Sequence, residues 1–225
     1  MRDRKRFVTL ILVAAAFLLW AVAYQHLPAS VPTHWGISGR PDQFGSRLQT
    51  ALLLPMIMLF IGVVFSFVPN YDRLLFIKYE PRDSDSSTVR PEYDGLIAIV
   101  LAFLLAIHAF AIASGLGLVA ASHEPLLLAA VLSFGMIAVG NYMPRITRRN
   151  AFIGVRLPWA YASEEVWRRT QRAGGYGMVA AGVIGLVGAF AVPSSPVKPL
   201  FAALVAQIIV VMVYSYHLAH SREVP

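Results

Sequence analysis

Two polar side chains stand deep inside apolar stretches of this sequence, His108 within LLAIHAFAIA and Gln207 within LVAQIIVVM. An imidazole at that depth can relay a proton or hold a ligand, and an amide beside it can line a solute path. Ionisable groups in hydrocarbon are costly unless partnered, so such residues are functional candidates by default. The same chemistry also allows a structural reading, in which a neutral His108 bonds to Gln207 or to a carbonyl and fixes helix register.

A second polar group lies in QHLPASVPTHWGISGRPDQFGSRL, where His26, His34 and Asp42 could in principle ligate a metal. Their spacing matches no metal-site pattern, and no metal is expected. Pro28 and Pro32 stiffen this connector, while Gly36, Gly39, Gly45 and Pro41-Asp42 supply turn chemistry. The expectation is a compact, turn-rich lid with Trp35 and Phe44 at the lipid interface and His34, Trp35 and Asp42 available to a ligand.

The densest polar stretch is NAFIGVRLPWAYASEEVWRRTQRAGG, Asn150 to Gly175. Ser163 suits an N-cap, Glu164 and Glu165 suit the first helical turn, and Arg168, Arg169 and Arg172 suit the last. Gly174-Gly175 reads as a helix end. These features predict a short helix lying flat on the membrane, with Trp159 and Trp167 at its interface. Arg156, between Val155 and Leu157, is expected to turn back and pair with Glu164 or Glu165.

Neither a nucleophile with its base nor a phosphate-cradling glycine loop is recognisable, and the chain has no cysteine. No enzymatic activity and no cofactor are expected. Ser114 and Ser133, set among apolar neighbours, are expected to bond back to their own helices.

The elements that must position these residues follow from composition. Of 225 residues, 57% are hydrophobic and 14% charged, against about 25% charged in ordinary soluble domains. Apolar runs approach the roughly 20 residues needed to cross a bilayer. They define six spans: 7–24, 50–68, 96–119, 126–143, 176–192 and 200–218. The first follows four basic residues and ends Ala21-Val22-Ala23, like a cleavable signal, but its length favours an uncleaved helix. Pro55 removes one backbone donor from the second span. In the fifth, Gly177, Ala181, Gly185 and Ala189 recur every four positions, widened by Gly182 and Gly188, which lets another backbone approach.

Charge sets the orientation. With the N-terminus inside, sixteen of the nineteen Lys and Arg residues fall on the inner side, and only Arg40, Arg47 and Lys198 fall outside. Such asymmetry is the positive-inside signal and puts both termini in the cytoplasm. The net charge of +7 then serves anionic lipid headgroups rather than nucleic acid, because no basic stretch stands clear of the spans. The fold class is thus all-α, a polytopic membrane protein with six transmembrane helices. Residues 1–94 carry the first two spans, the outer connector and a cytoplasmic linker, and 95–225 form a four-span region with the polar loop 141–175.

Three short blocks in that loop carry a resemblance. They are Asn141-Tyr142-Met143-Pro144, Asn150-x-Phe152-Ile153-Gly154-Val155-Arg156-x-Pro158-Trp159, and Glu164-Glu165-Val166-Trp167-Arg168. Together they resemble the SdpI-type immunity family. The outer connector, Leu27-Pro28-x-x-Val31-Pro32-x-His34-Trp35 with Gly39-x-Pro41-Asp42, is similar to the uncharacterised domain that commonly precedes that signature. The family commonly has Lys near Arg47 and Thr near Leu157, two small departures here. The resemblance implies a non-enzymatic protein of the bacterial cytoplasmic membrane that protects against a secreted peptide toxin. It also implies, for some members, a transcriptional repressor held at the membrane. The alternative from the residues alone is a small-solute or drug transporter using His108 and Gln207.

Overall fold

The structure, a computed structural model, describes residues 2–76 and 91–221, with side chains from 7 to 68 and from 93 to 221. Of the basic residues assigned to the inner side, Lys78, Arg82, Arg90 and Arg222 lie outside the described residues, as do the side chains of Arg2, Arg4, Lys5, Arg6 and Arg73.

Six long helices account for most of the described residues: α1 (Arg2–Ala23), α2 (Arg47–Phe76), α3 (Pro91–Gly115), α4 (Glu124–Tyr142), α5 (Glu164–Ala191) and α6 (Lys198–His220). From α2 to α6, each is long and apolar enough to cross a membrane. The apolar stretch of α1, Phe7–Ala23, is shorter. At 1.5 Å per residue it extends about 26 Å, slightly less than the hydrocarbon core. Large apolar side chains such as Phe60, Phe67, Val187, Phe190 and Val210 face outward from the bundle. That arrangement suits lipid as the surrounding solvent. The molecule is an all-α, multi-pass membrane protein.

Helices α1, α2 and α3 pack on one another, α3 also leans on α4, and α5 lies between α4 and α6. The small-residue stripe of α5 is what permits the second group. A Cβ added at Gly175 would lie 2.6 Å from the Gly140 carbonyl oxygen, and one at Gly182 would lie 2.7 Å from that of Ser133. Gly185 faces Leu200 at 2.8 Å and Gly177 faces Gln207 at 2.6 Å by the same measure. The stripe is therefore consumed within one chain, against α4 on one side and α6 on the other. In lipid, where burying leucine gains little, such backbone approach is the main source of helix association.

Two local expectations need correction. The connector after α1, expected only as turns, also pairs two strands. Strands β1 (Ser30–Trp35) and β2 (Pro41–Ser46) pair antiparallel, Val31 opposite Gly45 and Pro32 opposite Phe44, with an irregularity between Pro32 and Trp35. Gly39 closes the turn at φ 78°, where glycine alone is unstrained. This hairpin sits over one end of the bundle, with Val31 against Gly115 and Gly39 against Pro125 and Val197.

The predicted flat helix is also not separate. Its residues are the first turns of α5, which runs unbroken through Gly174-Gly175. Neither glycine adopts positive φ. Their missing side chains instead admit Met143, Pro144 and Val155, so tertiary packing overrides a local stop signal. Helix α2 likewise continues through Pro55.

Candidate functional site: a folded loop and a hairpin at the two ends of the bundle

The 142–163 segment joins α4 to α5 at the end of the bundle away from the hairpin, and a chain of hydrogen bonds folds it into a cap. The buried Asn150 starts it: its Oδ1 accepts from the backbone N–H of Phe152 at 3.0 Å and of Ile153 at 2.8 Å. An asparagine that satisfies its own following backbone makes a turn without a ladder. The carbonyl of Asn150 accepts from the Tyr161 hydroxyl at 2.8 Å. Gly154, at φ 92°, then aims Val155 at Gln171 of α5.

Gln171 is wholly buried and grips Val155 at both backbone atoms. Its Oε1 accepts from the Val155 N–H at 2.8 Å, and its Nε2 donates to the Val155 carbonyl at 2.9 Å. One turn earlier, the equally buried Trp167 donates from Nε1 to the Ile146 carbonyl at 3.0 Å. Its ring lies 5.1 Å from that of Tyr161. The loop thus satisfies its backbone against α5, as a buried irregular segment must.

Pro158 opens a short 3-10 turn, Pro158–Tyr161, that carries Trp159 onto α6. There the Trp159 Nε1 donates to the buried Ser215 Oγ at 2.9 Å, and its ring meets Tyr216 edge-on at 5.5 Å. Ser163 caps α5 by accepting from the Val166 N–H at 3.2 Å. Pro144 packs on Gly175, and the Asn141 carbonyl accepts from Arg145 at 2.8 Å.

Two expectations fail here. Trp167 is a core residue and not an interfacial anchor, because its face of α5 is covered by the loop. Arg156 does not reach the glutamates; it donates to the Ala151 carbonyl. Glu165 is instead taken by Arg168 at 2.7 Å and Arg169 at 2.6 Å, its neighbours three and four positions on. Those partners are pre-positioned by the helix, so a loop arginine cannot compete with them. Glu164 is exposed.

At the hairpin, His34 and Asp42 face each other across the strands, Nδ1 to Oδ1 at 2.5 Å, with 57% and 49% of their side chains exposed. Trp35 points the other way. It is partly buried, with its ring 5.1 Å from that of Phe110 on α3, so it wedges the hairpin onto the bundle. Phe44 is exposed. Among the described residues there is no group of three metal-ligating side chains.

The two intramembrane polar residues are not brought together. His108 is wholly buried beside the Ala16 backbone of α1, while Gln207 faces Gly177 of α5. Among the described residues, neither ring nitrogen of His108, nor the Gln207 Oε1, makes a hydrogen bond of good geometry. No bond joins them, because α1 and α5 lie on different sides of the bundle; of the two structural partners expected for His108, Gln207 or a backbone group, it lies against the backbone of Ala16. Ser114 also departs from expectation: it donates to Glu124 at 2.6 Å rather than to its own helix. Ser133 Oγ bonds to nothing.

Gln171, Tyr161 and Ser215 were missed in the sequence. Gln171 alone left a signal, standing four residues after Trp167 on the same helical face.

The loop and the helices that hold it coincide with a recognised unit. Residues 146–216 match the SdpI/YfhL protein family, from the Ile146 carbonyl bound by Trp167 to the Tyr216 ring beneath Trp159. Residues 11–59 match a domain of unknown function, DUF1648. The immunity protein SdpI of Bacillus subtilis (strain 168) is 22% identical over 214 residues, 95% of each chain.

The chain is of the SdpI type, with a DUF1648 domain in front. An uncharacterized protein of Archaeoglobus fulgidus is 42% identical over 62 residues, 28% of this chain and 30% of that one. No solved structure gives a significant match. In this SdpI-type chain the DUF1648 segment supplies most of α1, the hairpin and the start of α2, and the SdpI segment supplies the cap, α5 and most of α6.

Proposed function

We propose that this chain is a membrane immunity protein of the bacterial cytoplasmic membrane, non-enzymatic, that protects its cell from a secreted antimicrobial peptide. The observation that carries the reading is the likeness to immunity protein SdpI across 95% of both chains. Both termini lie in the cytoplasm in this reading, so the hairpin faces outward and the folded loop inward, as the arginine asymmetry supports.

The peptide meets the outward end, where His34 and Asp42 are exposed beside Trp35. The inward end presents Arg145, Arg148 and Arg172, all exposed, to anionic headgroups. The cap built on Asn150, Gly154, Pro158 and Trp159 offers a rigid surface to a cytosolic partner, a transcriptional repressor being the kind the family resemblance implies. Residues 1–94 act as the ligand-facing part and 95–225 as the part that reports inward.

The test is survival. A peptide-sensitive bacterium producing the chain is challenged with a panel of secreted antimicrobial peptides, alongside His34→Ala and Trp159→Ala at matched membrane abundance. Protection against at least one peptide is expected. Wild-type protein present in the membrane with no gain in survival against any peptide would overturn the reading.

A further inference from the structure

Beneath the hairpin lies a carboxylate that lacks a counter-charge. Glu124 opens α4 and is only 8% exposed. Its Oε1 accepts from Ser114 Oγ at 2.6 Å, and Ser114 is itself 8% exposed. Among the described residues no Lys, Arg or His is paired with it. The hydroxyl and the positive end of α4 offset part of the cost of this burial. A buried carboxylate without a cation is nonetheless an incomplete arrangement.

A cluster holding two aromatic rings stands one helical turn away. One turn before Ser114 on α3 stands Phe110, and one turn after Glu124 on α4 stands Leu128; both belong to the cluster that Trp35 packs against. The Trp35 and Phe110 rings meet at 5.1 Å and 55°, and the Trp35 Nε1 is buried with no acceptor. The turn joining α3 to α4 closes this place loosely: Leu118 is 75% exposed, and a Cβ on Gly117 would meet nothing within 4 Å.

The geometry points to Glu124 as a receptor for a primary ammonium group, a lysine side chain or free N-terminus carried by the ligand that meets this end of the bundle. A buried carboxylate without a cation suits an alkylammonium by charge, and the neighbouring Trp35–Phe110 cluster suits its apolar stem. A guanidinium suits it less, because Ser114 already occupies one carboxylate oxygen and denies the two-pronged bond. A hard metal ion suits it least, since one carboxylate and one hydroxyl fall far short of the six or more oxygens it takes. The inference rests on the proposed outward orientation and deepens that reading.

The test uses the full chain in nonionic detergent micelles, titrated calorimetrically with n-hexylammonium chloride and with n-hexanol, empty micelles being subtracted. Saturable binding of the ammonium and not the alcohol is expected. Glu124→Gln should weaken it by about thirtyfold or more, whereas Glu165→Gln at the other end should leave it unchanged. Should Glu124→Gln fail to fold, Ser114→Ala decides, since it keeps the carboxylate and frees its second oxygen; binding should persist or tighten, and its loss overturns the inference. Equal binding of hexanol, equal binding by a folded Glu124→Gln, or no saturable heat in the wild type does the same. Survival of cells in the peptide challenge despite any of these results leaves the immunity reading standing and removes only the ammonium site.

Discussion

Gln171 holds Val155 by both of its amide atoms, at 2.8 Å and 2.9 Å, across sixteen positions of sequence. Gln171→Ala should therefore release the loop while leaving α5 helical. Two bonds are lost and a part-buried peptide group is left unsatisfied, at a cost of about 1–3 kcal/mol. Limited proteolysis of membranes should cut between Ile146 and Tyr161 faster in the variant, with circular dichroism unchanged. Equal cleavage rates would mean that the cap is held mainly by its tryptophans.

Gly154 serves the same contact from the other side. Its φ of 92° costs a side chain about 1–2 kcal/mol, and a Cβ there would press on the Gln171 amide oxygen. Gly154→Ala should reproduce the Gln171→Ala cleavage pattern. The two changes together should cost less than their sum, because both break one contact. Additive losses of thermal stability would separate the glycine from the glutamine.

Gly175 and Gly140 set the spacing of α4 and α5, each lying where a Cβ would sit within 2.7 Å of the other's carbonyl oxygen. The obstruction is backbone, so no side-chain rotation relieves it. Gly175→Val should force the helices apart and reach well beyond the 1–3 kcal/mol of ordinary overpacking. Loss of the monodisperse peak in detergent chromatography is the expected sign. Gly117→Ala provides the contrast: open space surrounds it, and only its φ of 69° is strained.

Arg156 and Glu165 test how far a polar motif can be read without its fold. The sequence suggests an ion pair of Arg156 with Glu164 or Glu165; in the structure Glu165 belongs to Arg168 and Arg169. Arg156→Ala should leave the proteolysis of the loop as it is in the wild type, since the arginine side chain is exposed and bonds only Ala151 nearby. Accelerated cleavage would restore the ion pair as the loop's organiser.

These differences have a common cause. Spans were legible because a bilayer imposes length and polarity on each helix independently, and five of the six expected helices meet that demand. The signature loop was legible as a unit because its prolines, Asn150 and Gly154 act on their own backbone. Partnership was not legible. Gly174-Gly175 resembles a helix stop until Met143 and Pro144 are seen to fill the space, and Trp167 resembles an interfacial anchor until the loop covers it. Which groove a small residue admits, and which backbone a glutamine meets, depends on helix register that local patterns do not carry.

His108 separates a structural from a functional intramembrane residue. It is wholly buried between α3 and the Ala16 segment of α1, and among the described residues neither nitrogen makes a hydrogen bond of good geometry, the Ala16 backbone being its one polar neighbour. A polar group buried without a well-formed bond costs about 1–3 kcal/mol, so an apolar residue of similar size should relieve rather than add cost. His108→Leu is expected to melt at the same temperature as the wild type or a few degrees higher, with peptide protection intact. A variant that melts normally yet leaves cells sensitive would give His108 a part in function and revive the transporter alternative. One that unfolds would instead require a partner for the imidazole.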